Sequence, residues 1–305
     1  MSAPNVQANT PLVSLVTPTL NSAAFIEETL ASVVAQNYPN IEHIVVDGGS
    51  TDGTLEIAAR YPNVRVITGK DRGAADAINR GFRESHGKYF NYLNSDDVLL
   101  PGAIRAMVTA LEEGPEYAGV YGGGTWIDEA GKRIGAYPIQ DFDPRLFASE
   151  CYICQPGSLL RRSAFEAAGC LNADFDLTFD YEFWMRLAHN QKLLRIPDEL
   201  AYSRMHRSNK SLGKRGEVFA ETFSILRKHY GYVPFRWVIA EACHRKDGRD
   251  QFFEPAQPTL ARYMEALSIG LAANSRARAR YFKEWLSFPN WHRMKQHLLK
   301  SLLRR

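Results

Sequence analysis

LVSLVTPTLNSAAFIEETLASVVAQNYPNIEHIVVD, residues 12–47, decides the fold class of this chain. Its beginning is mostly apolar or β-branched, which predicts a strand over 12–19. Apolar residues then recur at helical spacing over 26–34. The run 41–47 is largely apolar, as in strands that are buried on both faces of a parallel sheet. A strand, a helix and a second strand in this order predict a parallel βαβ unit.

The same alternation continues beyond residue 47. The predicted elements are a helix at 54–60, a strand at 64–68, a helix at 74–85 and a strand at 88–93. Between 117 and 200 the pattern becomes mixed, and beyond Gly213 it is helical. We therefore predict an α/β fold, in which a sheet is flanked by helices. Its three segments are a flexible leader (1–10), an α/β domain (11–213) and a helical C-terminal region (214–305).

Composition excludes several classes of protein. Hydrophobic residues make up 45% of the 305 and charged residues 23%, which excludes disordered and fibrous chains. No apolar stretch approaches the roughly 18 residues that a membrane-spanning helix needs. Residues 1–10 contain no basic residue and no apolar core, so we expect no signal peptide and a cytoplasmic location.

The four cysteines favour reduced, mostly buried thiols. Cys151 and Cys154 form one C-x-x-C pair, and no second pair follows it. A structural zinc site would need two more ligands, for which the sequence offers only Cys170 and Cys243 with its neighbour His244. Zinc is therefore the weaker interpretation.

The end of the chain is strongly basic. Residues 276–305 contain nine basic residues and one acid, so this segment has a net charge of +8. Because the whole chain has a net charge of +3, the remaining residues together carry −5. Aromatic residues and leucines lie between these charges. The pattern fits an amphipathic helix on an anionic membrane surface, at the inner face of the cell membrane. It equally fits a terminal helix that packs on the domain, and nothing else in the chain supports a nucleic-acid partner.

Acidic residues follow two of the predicted strands. Asp47 ends one strand, and Asp96 and Asp97 come just after another. In open α/β sheets, ligands bind beyond the carboxyl ends of the strands. Paired carboxylates at such a place suit Mg²⁺ or Mn²⁺, although they also suit a turn or a helix N-cap. The turn after Asp47 lacks the G-x-G-x-x-G of a dinucleotide site, and its carboxylate could hold a nucleoside.

Two further segments carry acids at predicted helix starts. Residues 71–79 contain two acids and an arginine, and residues 178–184 contain two acids among aromatic side chains. Burial in the second segment could raise the pKa of a carboxyl into the range that is useful for a general base. Both segments also fit ordinary stabilisation of a helix N-terminus.

Seven segments in order resemble one family. They are VTPTLN (16–21), VDGGSTDGT (46–54), DRGAADAINRG (71–81), LNSDD (93–97), QPGSLLRRSAFEAAG (155–169), FDYEFWMRLA (179–188) and SRMHRSNKS (203–211). Together they resemble the family 2 glycosyltransferases, which have the nucleotide-sugar-binding GT-A fold. The resemblance covers about residues 11–213 and implies a Rossmann-like mixed sheet.

The resemblance also implies a reaction. A sugar would pass, with inversion, from a nucleotide-diphosphate donor (by default a UDP-sugar) to an acceptor hydroxyl, assisted by Mn²⁺ or Mg²⁺. The acceptor would be a saccharide or a lipid-linked saccharide, in the synthesis of a bacterial surface polysaccharide or glycolipid. Two alternatives stay open: a non-catalytic nucleotide-sugar-binding protein of the same fold, and a dinucleotide-dependent oxidoreductase.

The resemblance assigns roles to individual residues. Asp180 matches the general base, and Asp97 matches the metal ligand, with Asp96 and His206 beside it. The residues that match nucleotide-sugar-binding positions are Thr17, Pro18, Thr19, Asp47, Asp71, Asp76, Asn79, Asp96, Arg204 and His206. The sequence departs from the family at Asn94, where many relatives carry an acid, and at Phe179, where Glu is frequent.

Overall fold

The computed structural model describes residues 10–206, 209–247, 259–287, 289–292 and 294–296. The predicted leader lies outside these residues except for Thr10, as does the end of the basic tail, 297–305. The chain divides into two compact units. The first consists of Met1–Pro144 and Cys151–His206, and the second consists of Arg145–Glu150 and Arg207–Arg305.

The first unit contains one mixed sheet. In the described part of the chain its nine strands are β1 (Val13–Thr19), β2 (Ile41–Asp47), β3 (Val64–Thr68), β4 (Tyr89–Tyr92), β5 (Val98–Leu99), β6 (Gly119–Ile127), β7 (Arg133–Ala136), β8 (Ser158–Arg161) and β9 (Leu193–Arg204). Eight of them lie in the order β3-β2-β1-β4-β8-β6-β9-β5, and β7 pairs with β6. The predicted α/β fold with a mixed sheet is confirmed.

Helices of the first unit lie between these strands. They are α1 (Ile26–Val34), α2 (Thr54–Ala58), α3 (Ala74–Arg83), α4 (Ala103–Glu113), α5 (Arg162–Ala167) and α6 (Phe179–Ala188). Helix α3 packs closely on β1 and β2 because Gly81 has no side chain. A Cβ atom at Gly81 would lie 2.5 Å from Cγ1 of Val16 and 3.0 Å from Cγ2 of Val46.

The parallel half of the sheet aligns two strand ends. Strand β1 pairs in parallel with both β2 and β4, and β2 pairs in parallel with β3. Every residue of β1 is buried, as expected for a central strand covered on both faces. In the register of β1 and β2, Thr19 lies beside Asp47, so the two strands end at the same level.

The other half of the sheet brings a late strand to the acidic segment. Strand β8 is antiparallel to β4 and β6, whereas β9 is parallel to β6. The short strand β5 is antiparallel to β9, with Val98 opposite Tyr202. This pairing places Asp96 and Asp97, which precede β5, next to the carboxyl end of β9.

The second unit is helical. Its helices are α7 (Lys210–Gly213), α8 (Arg215–Tyr230), α9 (Phe235–Asp247), α10 (Leu260–Ala273) and α11 (Arg278–Trp285). Aromatic side chains fill its interior, where the rings of Tyr263 and Trp285 lie 4.8 Å apart. Asn274 ties the unit together because its amide bonds both the N–H and the C=O of Val233. None of the described helices is long and apolar enough to cross a bilayer.

Candidate functional site

Two buried oxygens lie at the ends of β1 and β2. Asp47 is fully buried, and its Oδ2 accepts hydrogen bonds from the N–H groups of Gly49 (2.9 Å) and Ser50 (3.0 Å). Its other oxygen, Oδ1, has no hydrogen-bond partner among the described residues, and the same is true of the buried Thr19 hydroxyl. An unpaired buried oxygen is costly unless a ligand or water binds it. This pair is therefore suited to receive a polar ligand.

The remaining predicted residues of β1 lie deeper in the sheet. Thr17 is fully buried, and its hydroxyl lies 2.9 Å from Nε2 of His43 on the neighbouring strand. Burial lowers the pKa of His43 to about 4, so this imidazole is neutral near pH 7. Pro18 points to the opposite face of the sheet from Thr17 and Thr19, because side chains alternate along a strand.

Asp71 lies against the turn that follows Asp47. A Cβ atom at Gly48 would be 2.8 Å from Oδ2 of Asp71, so only a glycine allows this approach. The other oxygen of Asp71 accepts a hydrogen bond from the N–H of Gly73 at 2.9 Å. The structure thus brings Asp71 to the same edge of the sheet as Asp47.

Asp76 and Asn79 lie on helix α3. Asp76 accepts a hydrogen bond from the N–H of Arg72 at 3.2 Å and keeps about a quarter of its side chain exposed. The amide of Asn79 donates to the C=O of Leu171 (2.8 Å) and accepts from its N–H (3.0 Å). Asn79 therefore fixes the segment at Leu171 to α3, whereas Asp76 remains accessible to a ligand.

Asp97 is buried at the end of the acidic segment. Its carboxylate accepts hydrogen bonds from the N–H of Arg204 (3.0 Å) and from the side-chain amide of Asn94 (3.1 Å). Burial, and then the charge of Asp96, raise the pKa of Asp97 from 3.8 to about 8. Asn94, where many relatives carry an acid, thus acts here as a hydrogen-bond donor to Asp97.

Asp96 forms a pair with His206. Its Oδ2 lies 2.9 Å from Nε2 of His206, and both side chains are mostly buried. The imidazole of His206 also packs on the ring of Phe25, with 4.7 Å between ring centroids. The structure therefore brings Asp96, Asp97 and His206 together, the three residues to which the resemblance assigned the metal site. The ring of Phe25 covers one side of His206.

Arg204 uses its guanidinium within the protein. The side chain is 1% exposed. Its donors reach the backbone oxygens of Asp96 (3.0 Å), Asp128 (3.1 Å) and Glu129 (3.2 Å), and it forms an ion pair with Glu28. Through these contacts the buried side chain of Arg204 holds the backbone of the acidic segment in place. Its guanidinium is occupied by protein groups, which does not support the predicted contact with a nucleotide sugar.

Asp96 and Asp97 suit a cation whose ligands come partly from the protein and partly from a bound substrate. Among the described residues, no three His, Cys, Asp or Glu side chains converge as a metal cage. Mg²⁺ and Mn²⁺ sites often use one or two carboxylates and complete their shell with phosphates and water. Burial, and then the charge of Asp96, raise the pKa of Asp97, so a negative charge on Asp97 is costly, and a divalent cation would relieve that cost.

Asp180 lies at the start of α6 among buried polar groups. One of its oxygens accepts a hydrogen bond from the N–H of Tyr181 at 2.7 Å. Burial raises the pKa values of Tyr92, Tyr137 and Cys151, and the charge of Asp180 adds to this in all three, after Cys151 and Cys154 in the case of Tyr137. All three are therefore neutral near pH 7. These three uncharged groups are neighbours of the carboxylate of Asp180, the proposed base.

Tyr92, Tyr137, Phe25 and Glu28 are site residues that the sequence analysis did not identify. Tyr92 had a usable signal, because it ends β4 immediately before the acidic segment. Burial raises the pKa of Tyr92, and the charges of Asp180 and Asp97 raise it further, so Tyr92 lies between the two acidic parts of the site. The cysteines are free thiols, with Cys154 and Cys243 buried.

Known sequences similar to this chain belong to one family. The family model for glycosyl transferase family 2 matches residues 14–169, just over half of the chain. An uncharacterized glycosyltransferase of Rickettsia prowazekii is 30% identical over 205 residues, which cover 64% of this chain and 64% of that protein. The O-antigen biosynthesis protein RfbC of Myxococcus xanthus is 34% identical over 58% of this chain and 14% of its own length. Chondroitin synthase of Escherichia coli is 29% identical over 73% of this chain and 34% of its own length. The chain thus spans less than two thirds of each of these relatives.

Solved structures show the same fold at low sequence identity. S. aureus TarS 1-349 in complex with UDP-GlcNAc has a TM-score of 0.59 and 17% identity, over 94% of this chain and 79% of its own. The mannosyltransferase PcManGT of Pyrobaculum calidifontis, in complex with GDP-Man and Mn²⁺, has a TM-score of 0.51 and 21% identity, over 96% of this chain and 86% of its own. At these identities the likeness concerns the fold, which is of the GT-A type.

Proposed function

Because this chain belongs to glycosyltransferase family 2, we propose that it transfers a sugar, with inversion, from a nucleotide-diphosphate donor to an acceptor hydroxyl. One observation carries the proposal: the unpaired oxygens of Asp47 and Thr19 lie at the carboxyl edge of the sheet. The same strand edge carries Asp96 and Asp97. A nucleotide binds with its base at the first pair and its diphosphate at the second.

Uridine, whose imide edge thymidine shares, suits the first pair better than guanosine does. Uracil presents one imide N–H between two carbonyl oxygens, so one acceptor and one hydroxyl can satisfy an edge of the base. Guanine presents two adjacent N–H donors, which a carboxylate pairs best with both of its oxygens. In Asp47, Oδ2 is already bonded to Gly49 and Ser50, so only Oδ1 remains for the base. We therefore propose a UDP-sugar as donor.

The acidic pair would hold the cation. Asp97 and Asp96 supply carboxylate oxygens, and His206 lies beside them. A bound Mn²⁺ or Mg²⁺ neutralises the charge that develops on a leaving diphosphate. Arg204 fixes the backbone of Asp96, and the hydrogen bond from Asn94 orients the carboxylate of Asp97.

Asp180 acts as the general base. Its carboxylate takes the proton of the acceptor hydroxyl while that oxygen attacks the anomeric carbon. The bond between that carbon and the diphosphate oxygen breaks in the same displacement, and the electron pair leaves with the nucleoside diphosphate. One displacement inverts the anomeric centre and needs no enzyme nucleophile. Tyr92, Tyr137 and Cys151, which are neutral, line the position of the base.

The acceptor is a saccharide or a lipid-linked saccharide. The names of two relatives, an O-antigen biosynthesis protein and a chondroitin synthase, support a role in polysaccharide or glycolipid synthesis. A lipid-linked acceptor would be met at the cytoplasmic face of the membrane, which the basic residues of 276–305 could approach.

Thermal unfolding in the presence of nucleotides tests the proposal. Wild type and Asp97→Asn are compared with UDP, GDP, dTDP and CDP, each with Mn²⁺ or with EDTA. A ligand at about 100 times its dissociation constant stabilises by roughly 2.7 kcal/mol, which is easily measured. We expect stabilisation by UDP in the wild type with Mn²⁺ and much less in the variant. If no nucleotide stabilised the wild type, the proposed function would be wrong.

A further inference from the structure

Helices α10 and α11 carry an apolar surface in the second unit. Among the described residues, eight large hydrophobic side chains are exposed, and half of them lie on these two helices or, in the case of Leu286, directly after α11. The α10–α11 face consists of Leu260 (47% exposed), Met264 (50%), Phe282 (43%) and Leu286 (42%). Each pair has a spacing of four residues, which places its members on one face of their helix. A concentration of this kind marks an interaction surface.

The two helices run antiparallel. Gly270, late in α10, contacts Tyr281, early in α11. Tyr263, early in α10, lies against Trp285, at the end of α11, and accepts a hydrogen bond from its indole N–H at 2.9 Å. The helices therefore pack along their length as a hairpin.

Both apolar pairs lie on the same side of this hairpin. Tyr263 and Tyr281 point toward each other's helix: the hydroxyl of Tyr263 bonds the C=O of Trp285, and the hydroxyl of Tyr281 donates to the C=O of Ala266 at 2.8 Å. Met264 and Phe282 each come one position later, which is a rotation of about 100° around the helix axis. From positions that face each other, equal rotations in two antiparallel helices lead to the same side of the pair. Met264 and Phe282 therefore lie on one side of the hairpin, and both are exposed.

The border of this face is positively charged. Exposed basic residues lie just before α11 and along its outer side: Arg276, Arg278 and Lys283. The acid of α11, Glu284, is directed into the unit, where it binds the hydroxyl of Tyr232 and the N–H of Phe235. The acid of α10, Glu265, is half-buried. The outer surface around the apolar face is therefore basic.

We propose that the α10–α11 face binds the surface of an anionic lipid bilayer. Its apolar side chains enter the boundary between headgroups and acyl chains, while the basic border contacts the lipid phosphates and carboxylates. The proposal concerns folded helices within residues 260–286 and does not depend on the chemistry of sugar transfer.

A bilayer fits this face better than a second copy of the chain does. In a two-fold symmetric dimer the same patch meets itself. Arg276, Arg278 and Lys283 would then approach their own copies, and like charges that are brought together oppose association. Anionic lipids complement the same charges.

Vesicle sedimentation with the full chain tests the proposal. We compare vesicles of phosphatidylcholine alone with vesicles that contain about one third phosphatidylserine. The wild type is expected to sediment with the anionic vesicles only, and less at high salt because charges are screened. The double variant Met264→Gln, Phe282→Gln keeps every charge and is expected to bind roughly tenfold more weakly, because apolar surface is lost.

A matched variant controls for the loss of exposed apolar surface in general. Val34→Gln, Ile134→Gln removes side chains that are 59% and 41% exposed in the first unit, and it should bind vesicles like the wild type. Circular dichroism confirms that each variant is folded.

Failure to bind anionic vesicles, or equal binding by the Met264–Phe282 variant, would overturn the proposal. A wild-type dimer that this variant converts to a monomer would also overturn it, since a second copy would then occupy the face. No donor or acceptor is used, so failure here is separate from failure of the proposed function.

Discussion

Thr19 and Asp47 lie side by side in register at the ends of two parallel strands, and each buries an oxygen that has no partner among the described residues. The described residues supply no hydrogen-bond donor to Oδ1 of Asp47, because the nearby N–H groups of the turn bond to Oδ2. The hydroxyl of Thr19 is likewise left for a ligand or water. Such an arrangement costs stability and is retained where a ligand supplies the missing donor. It therefore favours recognition of a base edge.

Asp47→Asn is expected to weaken binding of UDP by about 10- to 100-fold, since one hydrogen bond to a charged group is worth roughly 1.5–3 kcal/mol. The amide oxygen of the variant can still accept from Gly49 and Ser50. Its NH₂ group then replaces the free oxygen and faces the imide N–H of uracil, donor against donor. Isothermal titration calorimetry with UDP and Mn²⁺ measures the change.

Asp198→Asn provides the control for this substitution, because Asp198 is exposed on β9. It should bind UDP like the wild type. Unchanged affinity in Asp47→Asn would show that the base lies elsewhere.

Arg204→Lys is expected to destabilise the first unit by roughly 2–4 kcal/mol. The guanidinium bridges the backbone oxygens of Asp96, Asp128 and Glu129, and a lysine cannot reach them all from one buried position. Chemical denaturation measures the loss. Arg60→Lys, at an exposed ion pair with Glu27, should cost little. A variant of normal stability that failed to bind nucleotide would instead support the direct contact that the sequence predicted for Arg204.

The first four strands and the edge at which they end were predictable from the sequence, whereas β9 was not. Its sequence, LLRIPDELAYSR, contains a proline and several charges, which argue against a strand. The structure accommodates them because β6 and β9 lose register between Tyr121 and Gly123, opposite the segment that contains Pro197. Helix α4 did carry a signal that the analysis did not use, since Ile104, Met107 and Leu111 recur at helical spacing.

Motif positions alone did not reveal how each polar side chain is used. Asn79 and Arg204 both lie in matching segments, yet their polar atoms bond to the backbone of the protein. The sequence could not show this, because the partners lie 75 to 108 positions away along the chain. Asp47 differs because its local turn satisfies only one oxygen, which leaves the other for a ligand.

Below pH 6.5, His43 is expected to lower the free energy of unfolding. Burial lowers its pKa to about 4 in the folded state, against 6.5 as the ordinary value, so the unfolded state binds more protons between these two pH values. The contribution of neutral His43 is therefore complete above pH 6.5 and is lost as the pH falls toward 4. The total loss is about 3 kcal/mol at most.

The difference in unfolding free energy between wild type and His43→Gln isolates this effect, because the contributions of other groups cancel. Urea denaturation from pH 7.5 to pH 4 measures it. The wild type should lose stability faster than the variant below pH 6.5. Parallel curves over the whole range would contradict a neutral buried His43.

Gly81→Ala is expected to destabilise the chain by about 1–3 kcal/mol, although alanine usually favours a helix. The new Cβ would lie 2.5 Å from Val16 and would push α3 away from the sheet. Gly216→Ala is the matched control on α8, where a Cβ meets no atom within 4 Å, and it should stabilise slightly. Equal effects of the two substitutions in thermal unfolding would argue against close packing of α3 on β1.

Asp180→Asn should separate binding from chemistry. The variant keeps the shape of the side chain and can still accept from the N–H of Tyr181, so UDP affinity should stay within about twofold of wild type. Turnover should fall by about 10²- to 10⁴-fold, because an amide cannot take the proton of the acceptor. Slow hydrolysis of the donor sugar, with water in place of the acceptor, allows this measurement before the acceptor is identified.

Asp174→Asn, at an exposed carboxylate in the preceding loop, should hydrolyse donor at the wild-type rate. Near-normal turnover in Asp180→Asn would assign the base to another residue, whereas UDP binding without any turnover in the wild type would favour a non-catalytic nucleotide-sugar-binding protein.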